Sequence, residues 1–141
     1  MPTLNPYLNF AGNTEEAFNF YKSIFGGEFI GGIKRFKDFP GSEKMSEDDA
    51  NKIMHVALPI GKDHVIMATD ALESMGQKLI QGNNFHISIN TDTKDEADSL
   101  FAKLSEGGKI ELPIQETFWG AYFGMLEDKF RIQWMINLDK K

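Results

Sequence analysis

The chain has 141 residues, no cysteine, a formal charge of -6 and an isoelectric point near 5.0. Absent cysteine excludes a disulfide framework, a thiolate metal site and a cysteine nucleophile, while the acidic balance disfavours nucleic acid and anionic membranes, which both demand basic patches. Apolar residues at 41% and charged residues at 26% are ordinary globular proportions, so a single domain over residues 1–141 is expected. No apolar run approaches the roughly 20 residues of a membrane span and no basic leader opens the chain. A cytoplasmic protein with no membrane partner is expected.

The first predicted element is a short strand over residues 7–10. A helix follows, with Ala17, Phe20, Tyr21 and Ile24 recurring at helical spacing. Asn13 is placed to cap it, Glu16 to complete a capping box, and Gly26-Gly27 to end it. Strands are predicted over residues 28–36, 53–60 and 64–69, the last two joined by the polar turn Gly61-Lys62-Asp63. Residues 37–49 read as an inserted loop, with a helical turn starting at Ser46. The pattern then repeats at an offset of 80 residues. A strand over residues 85–89 precedes a helix striped by Ala97, Leu100, Phe101 and Leu104, capped by Thr93 with Glu96 and stopped by Gly107-Gly108. Three strands follow, over residues 109–117, 121–126 and 130–138, the last two joined at Glu127-Asp128-Lys129. The fold class is α+β, two βαβββ modules, the first over residues 5–72 and the second over residues 83–138. Three strands after each helix count against a ferredoxin-like βαββαβ sandwich.

Certain short motifs stand on this frame. Pro6-Tyr7-Leu8-Asn9-Phe10, Glu16-Ala17, Phe20-Tyr21 and Phe25-Gly26-Gly27 occupy the first half; Gly107-Gly108, Trp119-Gly120, Phe123-Gly124-Met125, Asp128-Lys129-Phe130 and Gln133-Trp134 occupy the second. With them the chain resembles the vicinal oxygen chelate superfamily of glyoxalases, bleomycin-resistance proteins and dioxygenases, and within it the PhnB-like branch. The resemblance implies an open barrel completed in a homodimer, around a pocket for a small-molecule ligand. It also implies four metal-ligand positions, from the first and last strands of each half, which fall on Pro6, Met67, His86 and Gln133. Proline has no side-chain donor, a thioether is too soft for hard divalent ions, and a neutral amide lacks charge. No catalytic metal and no other cofactor are therefore expected; were a metal bound, His86 and Gln133 would hold it, joined by His55 or Asp70 after a register shift. No glycine-rich loop follows a strand, so S-adenosylmethionine has no cradle.

The candidate ligand-binding residues are Met67, His86, Ser88, Trp119, Phe123 and Gln133. His86 is also the candidate catalytic residue, because imidazole exchanges protons near neutrality and Ser88 shares its strand face. Trp119, Phe123 and Trp134 offer flat apolar walls. Asp70 and His55 also have plain readings as a strand-end turn and a strand histidine, and His64 reads as a surface residue. The functional expectation is a small-molecule-binding protein; the alternative is a metal-dependent isomerase, lyase or dioxygenase that uses His86 on a small oxygen-rich substrate.

Overall fold

A computed structural model of the chain describes residues 2–139. The chain divides into two compact units, one running to Ile80 and one starting at Gln81. Each repeats the predicted order: β1 (Tyr7–Phe10), α1 (Thr14–Phe25), β2 (Lys34–Arg35), β3 (Ile53–Ile60) and β4 (His64–Asp70) in the first, with the short helix α2 (Glu47–Ala50) between β2 and β3. The second holds β5 (Ile87–Asn90), α3 (Lys94–Ser105), β6 (Lys109–Glu116), β7 (Ala121–Glu127) and β8 (Gln133–Asp139). The sheets run β1-β4-β3-β2 and β5-β8-β7-β6. In each, the first strand lies parallel to the last, and the remaining pairs are antiparallel.

Strand alternation decides what each sheet shows to its helix. In the first unit Leu8, Phe10, Val56, Leu58, Ile66 and Ala68 are buried, as are Ala17, Phe18 and Tyr21 of α1; the Phe10 and Phe18 rings meet edge to face, 6.4 Å apart. In the second unit Leu126, Trp134 and Ile136 are buried with Ala97, Phe101 and Leu104 of α3. Gly124 lets Phe101 approach: a Cβ there would lie 2.6 Å from the Phe101 ring and 2.8 Å from Ile114 Cα.

Two buried carboxylates fasten these layers. Asp70, 2% exposed, accepts hydrogen bonds from Thr14 N (3.0 Å), Thr14 Oγ1 (2.6 Å) and Ile53 N (2.8 Å). It thereby caps α1 from a neighbouring strand, where the helix N-terminus favours negative charge. The expected cap, Asn13, makes no side-chain cap bond; a residue remote in sequence has taken its place. Asp128 accepts from Phe130 N (2.8 Å), Ile132 N (3.1 Å) and Trp134 Nε1 (2.9 Å).

Other expectations are corrected in detail. The strand predicted over residues 28–36 shrinks to Lys34–Arg35, because Gly31 and Gly32 take positive φ of 71° and 73°, outside the extended region. The last strand begins at Gln133 rather than at residue 130, because the Asp128 turn consumes the intervening residues and puts Arg131 at φ 71°. Thr93 does cap α3, accepting from Glu96 N at 3.1 Å, and Glu96 accepts from Asp92 N at 3.1 Å.

Candidate functional site

The face of each sheet turned away from its helix carries the chemistry. On the first sheet, the alternation that buries Leu8 and Ala68 turns Tyr7, Asn9, Met67 and Thr69 the other way, with Tyr7 beside Met67 and Asn9 beside Thr69. The Tyr7 hydroxyl lies 3.3 Å from His55 Nδ1, and their ring centroids are 5.8 Å apart. Burial raises the Tyr7 phenol above its ordinary value. Pro6 precedes the strand and accepts from Met67 N through its carbonyl (3.0 Å). Tyr7, and not Pro6, thus shares a face with Met67, a shift of one residue from the predicted position. His55 and Met67 stand on this face, whereas Asp70 faces the helix with both carboxylate oxygens taken by protein donors.

On the second sheet Ile87 pairs with Trp134, so His86, one residue earlier, lies beside Gln133 on the open face. His86 Nε2 is 3.1 Å from Glu111 Oε1; the two side chains are 13% and 28% exposed. This contact reports curvature. The outermost strands of a flat four-stranded sheet lie about 14 Å apart, so a residue flanking β5 can meet one on β6 only where the sheet coils inward. Bulges in β6 between Ile110 and Leu112 and between Leu112 and Gln115 supply the bend.

Moving along the strands, Gln133 pairs with Glu127, Met135 with Met125, and Asn137 with Phe123. Ser88 joins the methionine row beside Met135. Trp119, in the turn between β6 and β7, packs edge-on against Phe123 at 5.9 Å. The face therefore has a polar end at His86, Glu111, Gln133 and Glu127, a methionine floor, and an end where the Phe123 and Trp119 rings stand beside Asn137 and Asn90. The two ends are four residues apart along β7, roughly 14 Å at about 3.4 Å per residue. His86, Ser88, Phe123 and Gln133 share this face, and Trp119 extends it through Phe123; Met67 belongs to the other unit. Trp134 is buried on the helix side and donates to Asp128. Sequence reasoning missed Glu111 and the Met125–Met135 pair; the abundance of methionine was a signal for the pair, and nothing in the spacing singled out Glu111.

The chain and its fold find matches among known proteins. The model of the Glyoxalase/Bleomycin resistance protein/Dioxygenase superfamily matches residues 3–136, and the chain belongs to that superfamily. Protein YjdN of Escherichia coli strain K12 is 35% identical over 147 aligned residues, covering 98% of this chain and 96% of YjdN. Among solved structures, protein PA1353 from Pseudomonas aeruginosa is 36% identical with a TM-score of 0.86, each chain covered completely. The PhnB protein from Bacillus cereus is 25% identical with a TM-score of 0.70, covering 97% of this chain and 99% of that one.

Of the four positions implied by the resemblance, Pro6 precedes β1 and Met67 lies on β4 of the first unit, while His86 and Gln133 belong to the second. Taken unit by unit, a proline without a side-chain donor and a thioether in the first, and an imidazole engaged with a carboxylate beside a neutral amide in the second, are each poor ligands for a hard divalent ion. Among the described residues, no three His, Asp or Glu side chains converge as metal ligands. Among the described residues, no helix is long and apolar enough to cross a membrane.

Proposed function

We propose that the chain is a small-molecule-binding protein that works without a catalytic metal, holding its ligand on the open face of the second sheet. The carrying observation is the graded face itself: a polar cluster at one end, methionines in the middle, and paired aromatics beside Asn137 at the other. Methionine adapts to irregular apolar shapes, aromatic rings stack on flat ones, and a few polar groups fix orientation, the usual make-up of ligand sites. The donor chemistry at the four metal positions supports the metal-free reading. The same reading takes the protein to be a cytoplasmic homodimer. Phe118, 98% exposed, and Trp119, 56% exposed, offer an apolar surface for a second copy to cover.

Metal analysis of protein purified without chelators, with thermal melts in Mn²⁺, Fe²⁺, Zn²⁺ and Ni²⁺, tests the reading. Substoichiometric metal and unchanged melting are expected; one tightly held ion per chain with a large stabilisation overturns it. Light scattering is expected to give twice the 15.9 kDa chain mass.

A further inference from the structure

The pair at the polar end says what kind of group the site receives. A carboxylate can only accept hydrogen bonds, so contact with Glu111 Oε1 requires His86 Nε2 to carry the hydrogen. A neutral imidazole holds one ring hydrogen, which leaves Nδ1 as a lone-pair acceptor. Among the described residues, no other protein group engages this ring, and no buried polar side-chain atom lacks a partner, so Nδ1 is open to an incoming molecule. Gln133, on the same face and 8% exposed, carries an amide that offers both a donor and an acceptor.

We infer that Glu111 sets the specificity of this face by locking His86 as a hydrogen-bond acceptor, which selects an elongated, largely apolar ligand ending in a hydroxyl. The hydroxyl donates to His86 Nδ1, and its oxygen takes a hydrogen from Gln133. The body of the ligand runs over Met125 and Met135 toward Phe123. This inference rests on the ligand-binding reading above and adds the chemical class of the ligand. Glu111 acts through His86 and is a positioning residue.

The test uses the full chain and a matched pair of probes, 4-phenylphenol and 4-methoxybiphenyl, which differ in whether the terminal oxygen carries a hydrogen. Long-range proton–nitrogen NMR spectra of the imidazoles, in mildly alkaline buffer, read the His86 tautomer without any ligand. Hydrogen on Nε2 is expected in the wild type; hydrogen on Nδ1 overturns the inference. In the Glu111→Lys variant the ammonium donates to Nε2, so hydrogen is expected to move to Nδ1. Calorimetric titration is expected to show the phenol binding about 3–10-fold tighter than the ether, the worth of one added hydrogen bond, with that preference falling to about one in Glu111→Lys. Equal affinities in the wild type, or an undiminished preference in the variant, overturn the role of Glu111 while leaving the face a binding site. If neither biphenyl binds, the ligand class is wrong. A stoichiometric metal in the separate metal analysis defeats the underlying reading instead.

Discussion

Replacing Asp70 separates a scaffold carboxylate from a candidate metal ligand. In Asp70→Ala the backbone N–H groups of Thr14 and Ile53 and the Thr14 hydroxyl lose their shared acceptor inside the first unit. A buried donor left unsatisfied costs about 1–3 kcal/mol. The hydroxyl can rotate toward another acceptor and counts least; the two backbone groups have no such freedom. The expected loss is therefore about 3–6 kcal/mol, a large share of a total stability that is commonly 5–15 kcal/mol. Asp70→Asn keeps one oxygen for Thr14 but turns an NH2 toward Ile53 N, so about 1–3 kcal/mol is expected. Urea denaturation followed by circular dichroism measures both, and amide exchange locates the damage, which should concentrate in α1 and β3. A loss below about 1 kcal/mol in the alanine variant, or an asparagine variant as damaged as alanine, would refute the capping argument.

The second unit offers three further tests. Asp128→Ala strips the acceptor from Phe130 N, Ile132 N and Trp134 Nε1; about 3–5 kcal/mol should be lost, with a changed tryptophan emission. Gly124→Ala forces a methyl against Phe101 and the Ile114 backbone and should cost about 1–3 kcal/mol in a urea melt; trimming Phe101 to Leu should recover only part, since Ile114 Cα cannot withdraw. Tyr122 donates to Asp98 at 2.5 Å, and this bond, with burial adding to it, pushes the phenol up to about 12. A folded value above the ordinary 10 means the stabilisation is full below about pH 10 and lost as pH climbs toward 12. Near-ultraviolet absorbance titration should find this late-ionising tyrosine, and Asp98→Asn should bring it back toward the ordinary value.

The doubled βαβββ order was legible because its signals are local: helical stripes, the Thr93 cap, paired glycines and two polar hairpin turns all lie within a few residues of what they control. Residues 28–36 misled because Phe29, Ile30 and Ile33 look strand-forming, while the positive φ of Gly31 and Gly32 belongs to a bend that sequence does not announce. The α1 cap was missed for another reason: Asp70 is 56 residues from Thr14, and such a pairing exists only once the strand order is known. The site followed the same rule. His86, Ser88, Phe123 and Gln133 share a face because alternation from adjacent registers placed them. Tyr7 was missed by one position, which in a strand reverses the face. Glu111 could not be found, since its contact with His86 depends on how far the sheet coils.

The parallel pairing of each opening strand with the closing strand of its own unit bears on how the chain is made. As it leaves the ribosome, β1 has no neighbour until residues 64–70 follow, and β5 waits in the same way for residues 133–139. Each half therefore matures late in its own synthesis, and shortening either from its downstream end strands its upstream edge. A nascent fragment ending near residue 60 should be grasped by holdase chaperones, whereas one reaching residue 80 has every strand that its sheet requires.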